Sequence, residues 1–149
     1  MAVRVSIDTN IFVSVKNREE PYCGPSRAVL DMADEGALEG VVSTVVVAEI
    51  CSGYHTAGEL KEKDEFLTHI LTSPNYVVAE VSVGIADEAG RIRAETGLKL
   101  PDALIVASGL KMKADYLITY DESLREADSY IEAITAGELV EMLGGRSEP

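Results

Sequence analysis

Cysteine, histidine, basic side chains and long apolar runs are all scarce in this sequence, and each shortage closes off a class of function. Cys23 and Cys51 are the only cysteines. They form no Cys-x-x-Cys pair and have no metal-ligand spacing, so they read as reduced, partly buried thiols rather than a disulfide. His55 and His69, the only histidines, are too few and too scattered for a zinc site; they read as surface or helix-lining residues. No apolar run reaches the roughly 18 residues that a membrane span needs. Met1-Ala2-Val3-Arg4-Val5 lacks the charged-then-apolar layout of a signal peptide and leads straight into a strand pattern. A cytoplasmic location is the expectation. Lys and Arg number 13 against 26 Asp and Glu, a net charge of −13. That is the wrong sign for a general nucleic-acid binder, because phosphates are met mostly by Lys and Arg. Three explanations fit: no nucleic-acid ligand, a high-salt cytoplasm, or acids concentrated in a metal site with a basic partner covering the rest.

What is present suffices for one compact domain. A chain of 149 residues buries about 70% of its unfolded surface on folding, and its apolar fraction of 46% is ordinary for a globule. There is no internal repeat or low-complexity tract. The stretch 16–25, with two prolines and Gly24, reads as a surface loop, and the tail 144–149 as frayed. Short β-branched runs predict strands over 3–8, 40–43, 76–80, 116–119 and 130–134. Helical spacing predicts helices between them: a short one from near Ile11, then 26–39, 44–54 capped by Thr44, 59–71, 83–96 ended by Gly97, one from Pro101 to about Lys113, and 136–143. Strands alternating with helices imply an α/β fold, a parallel sheet covered on both faces. Ligands in such sheets bind beyond the carboxyl ends of the strands, near the point where strand order reverses.

Four acids fall at or near those ends. Asp8 closes the first strand, where it could also cap the helix that follows. Glu49 is a lone charge in Val45-Val46-Val47-Ala48-Glu49-Ile50-Cys51. Such a carboxylate is costly to bury without a cation or donor, unless it points to solvent. Asp102 follows Pro101 at the mouth of an almost wholly apolar helix, where an acid also favours the helix dipole. Asp121 ends Leu117-Ile118-Thr119-Tyr120-Asp121, a place that also suits a turn or cap. Carboxylates packed close cannot all stay ionised unless a cation sits among them. Oxygen-rich sites suit Mg²⁺ or Mn²⁺, and such ions support in-line hydrolysis of a phosphodiester.

In this order the residues resemble the PIN-domain nucleases. The markers are Ile7-Asp8-Thr9-Asn10, Ala48-Glu49-Ile50, Pro101-Asp102-Ala103-Leu104-Ile105-Val106-Ala107 and Ala114-Asp115-Tyr116-Leu117-Ile118-Thr119-Tyr120-Asp121. The resemblance covers nearly the whole chain, and the single-domain size is most similar to VapC-type toxins. It implies a three-layer α/β/α fold whose five-stranded parallel sheet has the order 3-2-1-4-5. It makes Asp8, Glu49, Asp102 and Asp121 the acidic metal-binding quartet, with Asn10 and Thr119 in support. It also implies an Mg²⁺- or Mn²⁺-dependent endoribonuclease, usually a homodimer, held inactive by a small antitoxin. A basic antitoxin would suit the charge of −13.

Some residues depart from that pattern. Tyr120 stands where a small polar or basic residue is more usual; its ring could stack on a base or simply pack, and packing is favoured. Glu122 adds an acid beside Asp121. No basic stripe marks an RNA path; Arg91, Arg93 and Lys99 are the nearest candidates and read as solvated helix charges. Three other functions compete. A phosphoaspartate enzyme needs a second acid two positions after Asp8, where Asn10 stands. A non-catalytic RNA- or protein-binding module has no reason to keep clustered charges. A PIN ribonuclease of RNA maturation, rather than a toxin, shares every motif above.

Overall fold

The computed structural model describes residues 2–147. Its elements run β1 (Val3–Ile7), α1 (Thr9–Lys16), α2 (Cys23–Asp34), β2 (Leu38–Ser43), α3 (Thr44–Ala57), α4 (Leu60–Thr72) and β3 (Tyr76–Ala79). They continue with α5 (Val83–Thr96), α6 (Leu100–Lys111), β4 (Tyr116–Ile118), a 3-10 turn (Glu122–Ala127), β5 (Glu132–Ile134) and α7 (Ala136–Ser147). The five strands are all parallel and lie in the order β3-β2-β1-β4-β5, as the resemblance implies. β1 is central, so both its faces must be covered. Ser6 faces Gly109 of α6 on one side, while Ile7 reaches over Gly40 toward Tyr76 on the other. α5 and α6 pair on the first face, and α2 packs with α1 and α7 on the second. The core is aliphatic: Val5, Ile7, Leu38, Val41, Ile105, Leu117 and Ile118 are fully buried.

Two glycines permit close packing. A Cβ on Gly109 would press on Ser6 and Ile131 at 3.2 Å, and one on Gly40 would stand 3.0 Å from both Ile7 Cδ1 and the Tyr76 ring. Overpacking of this kind costs about 1–3 kcal/mol. Gly40→Ala is therefore expected to lower the stability measured by chemical denaturation by that amount, with an unchanged m-value. A midpoint equal to wild type would mean that strand β2 does not lie as close as described.

Local chemistry explains where the helices begin and end. α5 has the predicted bounds because Ser82 Oγ accepts the Ile85 N–H at its start and Gly97 takes the left-handed conformation at its end. Elsewhere the predictions need correcting. The second helix stops at Asp34, not Glu39, because the chain reverses through Gly36 at φ +82°. Leu38 and Glu39 already belong to β2, pairing with Val3 and Arg4. That helix also begins earlier, at Cys23, so Gly24 and Pro25 lie in its first turn rather than in a loop. A proline is tolerated there because first-turn N–H groups have no helical acceptor. Ser43, not Thr44, caps α3 by accepting the Val45 N–H; the Thr44 hydroxyl instead accepts from Val81 N. β5 starts at Glu132, since Tyr130 and Ile131 still donate back to Ala127 O. α7 runs through Ser147, past the expected start of the frayed tail; Glu148 and Pro149 lie outside the described residues.

Candidate active site

The strand order reverses between β1 and β4, and the carboxyl ends of these two strands form the centre of the site. Asp8 N donates to Ile118 O at 3.0 Å, which carries the ladder one residue past β1. Asp8 itself then turns into α1 as its N-cap, its Oδ1 accepting the Thr9 N–H at 2.7 Å. Its Oδ2 accepts the hydroxyl of Thr119, just past β4, at 2.7 Å. Capping is thus one of its tasks, but it does not account for the surroundings. Asp8 is 6% exposed, and burial pushes its carboxyl up to about 6, with the charges of Asp102 and Glu49 adding to the rise and the Thr119 and Thr9 hydrogen bonds opposing it.

Asn10 and Thr119 are both hydrogen-bonded to this carboxylate. Asn10 Nδ2 donates to Thr119 Oγ1 at 3.2 Å and, more weakly, to Asp8 Oδ2 at 3.4 Å. Asn10 Oδ1 accepts the Tyr120 N–H. The first turn of α1 is thereby tied to the segment after β4. Thr9 was not singled out in the sequence, yet its hydroxyl donates to Glu49 Oε1 at 2.5 Å. One residue thus binds both acids, through its N–H and its side chain. Its position between Asp8 and Asn10 was the available clue.

The other acids approach from separate elements. Glu49, on α3, is exposed rather than buried; the apolar face of that helix is carried by Val46 and Ile50. Asp102 is half-buried in the first turn of α6. Its carboxyl is raised by burial first and by Asp121 and Glu49 next, with Lys99 opposing. Asp121 is exposed and caps the 3-10 turn, its Oδ1 accepting both the N–H and the hydroxyl of Ser123. The four acids therefore act on one another electrostatically. None of them is ion-paired with Lys or Arg among the described residues.

They share a field without closing on a point. Among the described residues, no three His, Cys, Asp or Glu side chains are arranged to hold a metal ion. Two of the carboxylates are engaged by neighbouring donors, Glu49 by the Thr9 hydroxyl and Asp121 by Ser123. The donor set is nevertheless all oxygen, four carboxylates and the hydroxyls of Thr9 and Thr119, which suits a hard divalent cation. Mutual repulsion with no ion-paired basic side chain among the described residues points the same way.

The remaining candidates sort plainly. Tyr120 packs: its hydroxyl lies 2.6 Å from Ser26 Oγ and donates to Tyr22 O at 3.1 Å. Arg91 is held by Glu88 and Glu95 and lies over the Tyr130 ring; Arg93 donates to Leu98 O. Both are ordinary helix charges. Cys23 and Cys51 are free thiols, and His69 pairs with Asp34 on the surface. No helix among the described residues is long and apolar enough to cross a membrane.

A family model for the PIN domain matches residues 5–130. The chain belongs to the PIN domain family. Solved structures share the PIN fold along almost their whole length. A toxin–antitoxin complex from Klebsiella pneumoniae contains a chain 20% identical, with a TM-score of 0.67 over 89% of this chain and 97% of that one. The VapBC2 complex of Rickettsia felis, bound to a DNA fragment from its promoter, gives 17% identity and a TM-score of 0.67, covering 89% and 98%. PAE2754 from Pyrobaculum aerophilum gives 19% identity and a TM-score of 0.64, covering 97% and 99%. No curated protein sequence matches. The resemblance to the PIN-domain family read from the motifs is borne out by the family model, and these neighbours share its fold.

Proposed function

We propose that this PIN domain is a divalent-metal-dependent endoribonuclease and the toxin of a toxin–antitoxin pair. The observation that carries the proposal is Asp8: a carboxylate 6% exposed at the strand-order reversal, facing other acids and ion-paired with no basic side chain among the described residues. Asp8, Glu49, Asp102 and Asp121 are the residues that would hold Mg²⁺ or Mn²⁺. Such an ion, once bound, supplies an activated water and charge stabilisation for in-line phosphodiester hydrolysis. The chain's own part is to prepare the acids. Thr119 and the Thr9 N–H fix the orientation of the Asp8 carboxylate. Asn10 keeps Thr119 in place. Glu49 and Asp121, held only by hydroxyls and an N–H, are free to exchange those bonds for a cation. Without one, the acids repel the phosphates of any nucleic acid.

RNA as substrate is supported by family membership rather than by a groove. The toxin role is supported by the likeness to a chain of the Klebsiella toxin–antitoxin complex. It is also supported by the charge of −13, which a small basic antitoxin would neutralise. Homodimerisation and a cytoplasmic location complete the proposal. Purified protein should cleave single-stranded RNA in Mg²⁺ or Mn²⁺ and not in EDTA, with activity restored when metal is returned. Cleavage that persists in EDTA after metal stripping would overturn the metal-dependent reading.

A further inference from the structure

Tyr22 and Tyr120 form an aromatic pair beside the acids, and the proposed chemistry uses neither. Their ring centroids lie 4.3 Å apart with planes inclined by 40°. Tyr120 is the inner member. Its hydroxyl is bound to Ser26, which is fully buried and bonded in turn to Ser14 on α1. Its N–H is bound to Asn10, the residue that also touches Thr119 and Asp8. The ring is therefore anchored from both ends, one residue before Asp121. Tyr22 is the outer member. It is 42% exposed, and its hydroxyl makes no hydrogen bond among the described residues. Among the exposed large apolar side chains of the described residues it is the one aromatic, and it is supported from beneath by a second ring.

We infer that Tyr22, backed by Tyr120, is a stacking platform for an unpaired base flanking the scissile phosphodiester. The inference rests on the ribonuclease reading above and adds how the substrate is seated. A chain with acids at its site and no basic stripe cannot grip RNA chiefly by phosphates. Stacking needs no positive charge, because every base presents a π face. The surroundings of Tyr22 fit that mode. Arg18 and Arg27 lie either side of it in sequence, both exposed and in no ion pair among the described residues. Glu19 and Glu20 offset them, which leaves the ring rather than a charge patch as the attractive feature. Tyr22 thus positions the strand, and the acids act on the neighbouring phosphate.

The test compares Tyr22→Leu, Tyr22→Phe and Tyr22→Trp with wild type on a single-stranded oligoribonucleotide in Mn²⁺. Leucine preserves apolar bulk against Tyr120 but removes the π face. KM is expected to rise on the order of tenfold in Tyr22→Leu, with kcat changed less, while Phe and Trp stay near wild type. An abasic nucleotide at the stacked position should raise KM for wild type and add little for Tyr22→Leu. The inactive Asp8→Asn protein should quench a 2-aminopurine at that position, and the same protein carrying Tyr22→Leu should not. Metal-dependent cleavage with equal KM in wild type and Tyr22→Leu would overturn the platform and leave the nuclease standing. So would a loss confined to binding of a protein partner. If wild type neither cleaves RNA nor quenches the probe, both readings fall together.

Discussion

Replacing Asp8 with asparagine should abolish RNA cleavage and, at the same time, make the metal-free protein more stable. Both effects arise from one environment. The side-chain amide oxygen of the Asp8→Asn variant can still accept a hydrogen bond from the Thr9 N–H or the Thr119 hydroxyl, the two donors that Asp8 binds. Much of the cap on α1 and of the tie to the segment after β4 therefore survives. What disappears is a negative charge that burial and the facing acids disfavour, and with it the central proposed metal ligand. The activity loss should far exceed the roughly 10–100-fold typical of losing an outer-sphere partner. Assays in saturating Mn²⁺ should show it in kcat. Thermal melts in EDTA at pH 8 should show the opposite sign, a higher midpoint than wild type. Added Mn²⁺ should stabilise wild type by mass action and leave Asp8→Asn almost unmoved. A variant both inactive and destabilised would mean that Asp8 is chiefly a structural cap.

Acidifying the metal-free protein from pH 8 toward pH 5 should also raise its stability, contrary to the usual behaviour of an acidic protein with paired carboxylates. Asp8 titrates at about 6 in the folded chain, against about 3.9 when unfolded. Between those values the native state binds more proton than the unfolded state, so stability falls as pH rises through the window. The relative stability is complete below the unfolded value and lost once pH passes about 6. Acidification from pH 8 to pH 5 traverses only about one unit of that gap, which at about 1.36 kcal/mol per unit gives a gain on the order of 1.4 kcal/mol, or about 3–6 °C in Tm for a chain of this size. Asp102 shifts the same way, raised by burial and then by its neighbours. Glu138, held down by the Thr135 N–H, works in the other direction but is exposed and weak. Chemical denaturation across pH 5–8 in EDTA measures the slope, with Asp8→Asn as control. The variant's profile should be much flatter. An equally steep profile would assign the effect to general charge repulsion rather than to this carboxylate.

The strands and the central acid were legible for a physical reason, whereas the strand order was implied only by the family resemblance. Asp8 interrupts an apolar run at the end of a strand that had to be buried on both faces, so its exceptional position appears in the primary pattern. α5 could be bounded to the residue because Ser82 and Gly97 act locally. The misplaced end of α2 shows the limit of periodicity, since Leu38 fits a helical repeat and a strand equally well. Only pairing with Val3 decides it. The exposure of Glu49 was left open for a related reason. Its neighbours are apolar, but which flank of α3 is buried depends on what that helix packs against. Tyr22 was invisible, because its partnership with Tyr120 spans most of the chain and is created by folding alone.

The ties between β1 and β4 also bear on how the molecule comes apart. The Asp8 amide is bonded to Ile118 O across β1 and β4, and the Thr119 amide to Ile134 O across β4 and the edge strand β5; both residues are buried. Such amides exchange with solvent only when the whole domain opens, whereas surface segments open at far lower free energy. Isotope labelling should find Asp8 and Thr119 among the slowest exchanging positions, with the segment around Tyr22 much faster. Catalytic preorganisation and global cooperativity would then share one structural unit. Heating should leave the acidic centre assembled until the protein melts, while the substrate-seating edge loosens first.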